Sequence, residues 1–435
     1  MNKKLKTTLI ILCIVFILAI VLYCTLPIIL SGIVNHTDSK KTDESLQGEQ
    51  TVSTSQTPEP AVNKAEHVNT VSARIAVAGD VILNQLIFEE AKTEGGYDFS
   101  PIFGDIKGII ESADFAVCSL MTTFNSSGTY SSFPKSVSPP QIASALAACG
   151  FDLVNTANKH SMDSFYDGLI YTIDRVAEAG LAHIGTYRSP DERNSTGGAV
   201  IRDINGINAA FTAYSMGSSH IPVSGFEYAL NICVTDYLSD GKKINYELIQ
   251  SDFSRIKESG AEFIVVMISW DDEFSKEVSK LQRELVDYLI LQGADLVVGS
   301  GTKVPQLIEK RTVTLEDGSN RQGMVAYSMG NMLYFEDGEL TDLSAILNLQ
   351  ITKDTDSGQV WLSELTYTPI KMLNLSKYGI ANQGWNHRLF IIDDFISSYE
   401  NGTQFEFIGE DIVSDFRNAL TKVIDIFGKN FYINK

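Results

Sequence analysis

The rhythm of apolar and polar positions changes four times along this chain. An uncharged run comes first, Leu9 to Leu30 (LIILCIVFILAIVLYCTLPIIL), and about 22 residues at 1.5 Å each cover the roughly 30 Å core of a bilayer. From Asn35 to about Thr70 the chain is Ser, Thr, Asp, Glu, Gln and Lys with Pro58 and Pro60. Such a stretch buries too little apolar surface to offset its ordering entropy, so it predicts a flexible stalk. From Val71 onward, short apolar runs alternate with longer segments whose apolar residues recur every three or four positions. Beyond Pro369 a mixed segment leads to one more such helical pattern, Ile412–Phe427.

The short runs predict strands at Phe115–Leu120, Leu153–Thr156, Ala209–Tyr214, Phe263–Ser269, Leu296–Val298, Met324–Ser328 and Ala345–Thr352, after a first strand, VSARIAVAGD, that ends in Gly79-Asp80. The longer segments predict helices at Pro140–Cys149, Tyr166–Ala179, Tyr246–Ser259 and Val278–Gln292. Gly150, Gly180, Gly260 and Gly293 follow them where a left-handed cap belongs. Alternation of strand and helix implies an α/β domain built on a largely buried sheet. The expected organisation is a cytoplasmic stub and membrane anchor over 1–34, a stalk over 35–70, a folded domain over 71–370 and a C-terminal extension over 371–435.

Charge orients the anchor. Lys3, Lys4 and Lys6 precede the span and no comparable basic cluster follows it, so the N-terminus is expected in the cytoplasm and the folded domain outside the cell. A cleaved signal peptide is the alternative, but the apolar run exceeds a 7–15-residue signal core and no small-residue cleavage site follows promptly. Tyr23 before Cys24 also disfavours a lipoprotein signal. The formal net charge of −20 excludes general affinity for nucleic acid or anionic lipid, leaving an anionic polymer to bind only locally. Five cysteines with no CxxC spacing suggest neither a disulfide framework nor a metal site. Cys118, Cys149 and Cys233 sit in apolar contexts and read as buried free thiols.

Open α/β sheets bind ligands outside the carboxyl ends of their strands. Six polar blocks occupy such places: Gly79-Asp80; Ser119-Leu120-Met121-Thr122; Ala157-Asn158-Lys159-His160 with Asp163; Ser269-Trp270-Asp271; Gly299-Ser300-Gly301-Thr302-Lys303; and Tyr327-Ser328-Met329-Gly330-Asn331. Their order and spacing resemble the CapA/PgsA poly-γ-glutamate capsule synthesis proteins of the calcineurin-like metallophosphoesterase superfamily. That family's pattern runs GD, NLE, ANNHxxD, HWG, GHHPH and YSLGNF, where this chain reads GD, SLM, ANKHSMD, SWD, GSGTK and YSMGNM. The segment GLIYTIDRVAEAGLAHIGTYRSPDER looks like the family's helix and the turn after it, so the resemblance covers about Arg74 to Pro369. It implies a layered α/β/β/α domain and a role in capsule or cell-envelope polymer synthesis or export, beside other capsule-synthesis membrane proteins.

The resemblance also implies Asp, Glu, Asn and His ligands around one or two divalent cations, and here the chain departs from it. Asp80 is kept, whereas Met121, Lys159 and Ser269 stand at ligand or motif positions, and Ser300, Gly301 and Lys303 replace the histidine-rich block. Asp80, Asn158, His160 and Asp163 alone do not make a two-cation shell, so no cofactor is expected. Lys159 and Lys303 have two readings: fixed positive charges that compensate Asp80 and keep an anion pocket, or stems that snorkel out of a decayed cleft. His160 reads either as a general acid or as a hydrogen-bonded structural residue, and Asp163 as a stabiliser of the following helix N-terminus. Asp271-Asp272-Glu273 offers carboxylates for a cation elsewhere, though such a run is more often a solvated loop, and the binding candidates are Asp80, Asn158, Lys159, Asp163, Lys303 and Asn331. Two functions stay open: a binding or scaffolding subunit without hydrolase chemistry, or a metal-dependent hydrolase of phosphoester or γ-glutamyl bonds on a rebuilt site.

Overall fold

The computed structural model describes residues 69–435 apart from 133, 240, 271, 335–337, 381–384, 403–407 and 434–435. The expected membrane span, and the expected stalk as far as residue 68, lie outside the described residues. Among the described residues, no helix is long and apolar enough to cross a membrane.

The strands of three residues or more are β1 (Thr70–Val81), β2 (Phe115–Leu120), β3 (Leu153–Asn155), β4 (Ala182–Ile184), β5 (Val200–Ile204), β6 (Ile207–Ser215), β7 (Phe263–Ser269), β8 (Leu296–Ser300), β9 (Pro305–Thr314), β10 (Asn320–Met329), β11 (Asn331–Leu333), β12 (Leu343–Asp354), β13 (Val360–Asn374) and β14 (His387–Ile391). The longer helices are α1 (Gln141–Cys149), α2 (Phe165–Glu178), α3 (Tyr246–Glu258), α4 (Lys280–Gln292), α5 (Ile392–Glu400) and α6 (Glu410–Phe427). Each helix expected from the apolar period is present within two residues at either end. The glycines after α1 to α4 all take positive φ, from 81° at Gly260 to 126° at Gly293.

The strands form two main sheets where the alternation alone implied one. The first runs β14-β13-β12-β1-β2-β3-β4, with β11 also on β1; the second runs β9-β10-β8-β7-β6-β5. β1 to β4 are mutually parallel, as are β6, β7, β8 and β10, while β5, β9, β12, β13 and β14 pair antiparallel to their neighbours. Strands buried on both faces are continuous apolar runs, so their sequence does not say which sheet they enter.

Period-two alternation then builds the layers. Ile75 and Val77 of β1 face Phe211 of β6, Val265 of β7 and Val298 of β8 in a core between the sheets. Ala76 and Ala78 point the other way, into a second core with Ile142 and Leu146 of α1. On the far side, Val266 and Ile268 of β7 meet Phe253 of α3 and Leu285 and Leu289 of α4. The result is the α/β/β/α layering that the resemblance implied. Cys118, Cys149 and Cys233 are buried and unbridged.

The C-terminal region is continuous with this domain. β13 runs through the boundary expected near residue 370, β14 adds the edge strand beside it, and α5 and α6 pack where these strands meet the inter-sheet core. Phe416 of α6 is fully buried and stacks on Phe395 of α5 with centroids 3.8 Å apart. Phe416→Ala therefore leaves a cavity and costs about 3–5 kcal/mol, to be read as a lower denaturation midpoint of the whole domain in one transition; separate melting of the C-terminal helices would contradict this.

Candidate functional site

The six polar blocks converge because both sheets end their parallel strands on the same side. β1 keeps its antiparallel partner β12 as far as Val77, then shifts register, and Asp80 pairs instead with Ser119 of β2 and Asn331 of β11. Gly79 permits the crossing: a Cβ there would lie 2.2 Å from the Gly330 carbonyl oxygen. The Asp80 amide donates to that same carbonyl at 3.0 Å. From the second sheet, the Gly301 amide donates to Asp80 Oδ2 at 2.8 Å. Gly301 reaches it with φ of 88°, and a Cβ there would meet the Trp270 carbonyl at 2.5 Å.

Asp80 is fully buried, and its Oδ1 has no hydrogen-bond partner among the described residues. Burial pushes the carboxyl up to about 7, against the pull of the Gly301 amide, the Ser300 hydroxyl and the Lys159 charge. Met121 follows β2, its thioether side chain wholly buried. Ser269 ends β7 with a buried Oγ that has no partner among the described residues.

The loop after β3 is held by its own side chains. Asn158 Nδ2 donates to the Leu120 carbonyl at 2.9 Å, and Asn158 Oδ1 accepts from the His160 amide at 2.9 Å. His160 Nδ1 lies 2.7 Å from Asp163 Oδ2, which also accepts from the Ser136 amide. Asp163 is thus spent on His160 and Ser136; it does not cap α2, whose N-cap, Ser164, makes no side-chain capping bond. Asn331 Nδ2 donates to the Lys303 carbonyl at 2.8 Å and to that of Thr341 at 3.2 Å. It braces the site as a buried scaffold residue.

Lys159 and Lys303 neither snorkel outward nor contact Asp80 by a direct ion pair among the described contacts. Both close on Glu273, Lys159 in a direct hydrogen bond and Lys303 at 3.2 Å. The two lysine side chains are only 14% and 6% exposed, and Glu273 supplies counter-charge to both. Burial raises the Glu273 carboxyl, but hydrogen bonds and charge from Lys159 and Lys303 outweigh it and hold the group below its ordinary value. Lys303 Nζ also lies 4.9 Å from the Phe274 ring centroid and 5.2 Å from that of Tyr334. A cavity of about 940 Å³ opens over this cluster, lined by Lys159, His160, Glu273 and Lys303 together with His220 and Lys242. Among the described residues its wall offers lysines, the carboxylates of Asp272 and Glu273, and a histidine oriented by Asp163.

The sequence reading missed Glu273, taken as part of a solvated acidic loop, and also the aromatic and basic wall residues. Their spacing in sequence carries no signal, since residues 220, 242, 274 and 334 meet only through the packing of three loops. The one available cue was the position of Glu273, four residues past Ser269 at a strand end.

Comparison with known proteins gives the family. The chain belongs to the family described as bacterial capsule synthesis protein PGA_cap, whose model matches residues 74–335. It is 21% identical over 300 residues to the capsule biosynthesis protein CapA of Bacillus anthracis, covering 67% of each chain. It is likewise 21% identical over 313 residues to the PGA biosynthesis protein CapA of Bacillus subtilis strain 168, covering 70% of this chain and 76% of the relative. Among solved structures, a novel phosphatase from Mycoplasma pneumoniae aligns with a TM-score of 0.40 and 10% identity, over 69% of this chain and 94% of that one.

Asp80 gives the site a pH signature. Its folded value of about 7 lies above the ordinary 3.8, so the folded chain keeps a proton that the unfolded chain releases, and stability falls as pH rises through that window. Asp80→Asn, neutral and isosteric, is expected to raise the melting temperature at pH 8 and to leave it near wild type at pH 4. Thermal unfolding across that range checks the sign; a variant less stable than wild type at pH 8 would contradict it.

Proposed function

We propose that this capsule-family chain is a single-pass membrane protein with a cytoplasmic N-terminus and an extracellular folded domain. It acts in capsule or cell-envelope polymer synthesis or export as a binding or scaffolding subunit, beside other capsule-synthesis membrane proteins, without metal-dependent hydrolysis. The observation that carries this reading is the Lys159–Glu273–Lys303 cluster over Asp80. A divalent cation in a protein needs three or four good donors. Here the family's ligand positions hold a thioether at Met121, hydroxyls at Ser269 and Ser300, and ammonium groups at Lys159 and Lys303, which offer no lone pair and repel a cation. Asp80 contributes one carboxyl, which burial favours in its neutral form up to about pH 7. The residues do not fit a metal centre.

Any contact with an anionic polymer is local, because 54 acidic against 34 basic residues repel a polyanion over most of the surface. A second reading, a hydrolase of phosphoester or γ-glutamyl bonds, draws on the His160–Asp163 pair at the cavity wall, a histidine held in one orientation as general acid chemistry requires.

Two measurements test the proposal. After exposure to manganese, zinc and iron, the purified chain is expected to hold no stoichiometric metal and to show no rise in melting temperature; stoichiometric metal with stabilisation would favour the hydrolase. In cells, the protein is expected to stay in the membrane fraction through a high-salt wash, with its C-terminus open to external protease. Release into the medium or protection of the C-terminus would refute the anchor or its orientation.

A further inference from the structure

A second cavity, of about 600 Å³, opens beside the first and shares Tyr237 with it. Among its lining residues is a buried ion pair that the strand-end site does not use. Asp252 of α3 and Arg193 of the short helix Pro190–Ser195 are 1% and 5% exposed, and both line the cavity with Asn231. The pair is joined through one nitrogen and one oxygen. Arg193 Nη2 donates to Asp252 Oδ2 at 2.7 Å and to Asn231 Oδ1 at 2.9 Å, and Asp252 Oδ2 also accepts from the Tyr214 hydroxyl at 3.0 Å. Asn231 is occupied on its other side, where Nδ2 donates to the Ala213 carbonyl at 2.8 Å. Arg193 Nη1, by contrast, is buried with no partner among the described residues, and both hydrogen bonds to the Asp252 carboxylate fall on Oδ2. An arginine and a carboxylate often meet through two parallel bonds, and buried polar groups are normally satisfied. Among the described residues this pair is one acceptor short at Arg193 and one donor short at Asp252.

We infer that this second cavity is a binding site for a neutral sugar, one hydroxyl of which donates to Asp252 Oδ1 while a neighbouring hydroxyl accepts from the Arg193 guanidinium. A hydroxyl is both donor and acceptor, so two adjacent ones supply what the pair lacks. The ligand is neutral because Arg193 and Asp252 compensate each other, and a charged group set against them would be an unpaired charge taken out of water. Tyr228 and Tyr237 line the same cavity and supply ring surface for the apolar C–H face of a pyranose. Aromatic walls with a few convergent polar groups, in a cleft of roughly 300–1,000 Å³, are the usual character of a small-molecule site. The site is separate from the Lys159–Glu273–Lys303 cluster, so it holds whether or not that cluster takes a metal.

The test uses the full chain in a detergent without a sugar headgroup, titrated calorimetrically with glucose, galactose and N-acetylglucosamine, and with glucosamine and glucuronate as charged counterparts. At least one neutral sugar is expected to bind, and to do so about tenfold tighter than either charged form or better. Ser251 is exposed on α3 and lines the cavity. Ser251→Trp therefore fills the opening without removing either partner of the ion pair, and is expected to abolish that binding at an unchanged melting temperature. Asp252→Asn keeps the side-chain shape and is expected to weaken binding about tenfold. Because it also strips Arg193 of its buried counter-charge and endangers the fold, Ser251→Trp decides alone if that variant does not fold. Binding of no neutral sugar overturns the inference, as does binding that survives Ser251→Trp or tighter binding of a charged form. Metal content of the same sample reports on the strand-end site alone: stoichiometric metal would sink the metal-free reading and leave the sugar site standing.

Discussion

A hydrogen bond joins the strand ends of the two sheets: the Gly301 amide, from the end of the second sheet, donates to the carboxylate of Asp80, from the end of the first. It requires two glycines. Gly79 lets the Gly330 carbonyl pass within reach of the Asp80 amide, and Gly301 turns its own amide inward past Trp270. Around this contact the loop ends of β1, β2, β3, β7, β8 and β10 are drawn together, and the burial they impose gives Asp80 its raised affinity for a proton.

A carboxylate buried so completely needs compensation, and the site provides it at one remove. Lys159 lowers the proton affinity of Asp80 through space, yet its direct partner is Glu273, which Lys303 shares. Among the described residues, Lys159, Lys303, Glu273 and Asp80 thus lie together at one strand-end site. The chain has a net charge of −20, and the pocket wall sets Lys159, Lys242 and Lys303 beside Asp272 and Glu273.

The C-terminal region extends the same architecture. The long strand β13 carries the chain past the expected boundary, and Phe395 and Phe416 seal the inter-sheet core at the sheet edge. Lys371 on that strand pairs with Asp342 and with Asp415 of α6, so charge as well as apolar packing fastens α6 to the sheet.

Periodicity in the chain determined the elements: the apolar runs became β2, β7 and β12, and the three-and-four spacing became α1 to α4 with their glycine ends. The ordered polar blocks at strand ends determined the family and marked Asp80, Asn158, Lys159, His160 and Lys303 as neighbours in space. These signals are local, or repeat a known order, and so survive without coordinates. Tertiary structure alone decided that the strands divide between two sheets, since a strand apolar on both faces carries no mark of its partner. It alone turned Asp163 from the helix end toward His160, and Glu273 from a solvated loop into the clasp of two lysines. Ion pairs between residues 114 and 30 positions apart are set by how loops fold over a cavity, and sequence spacing holds no record of that.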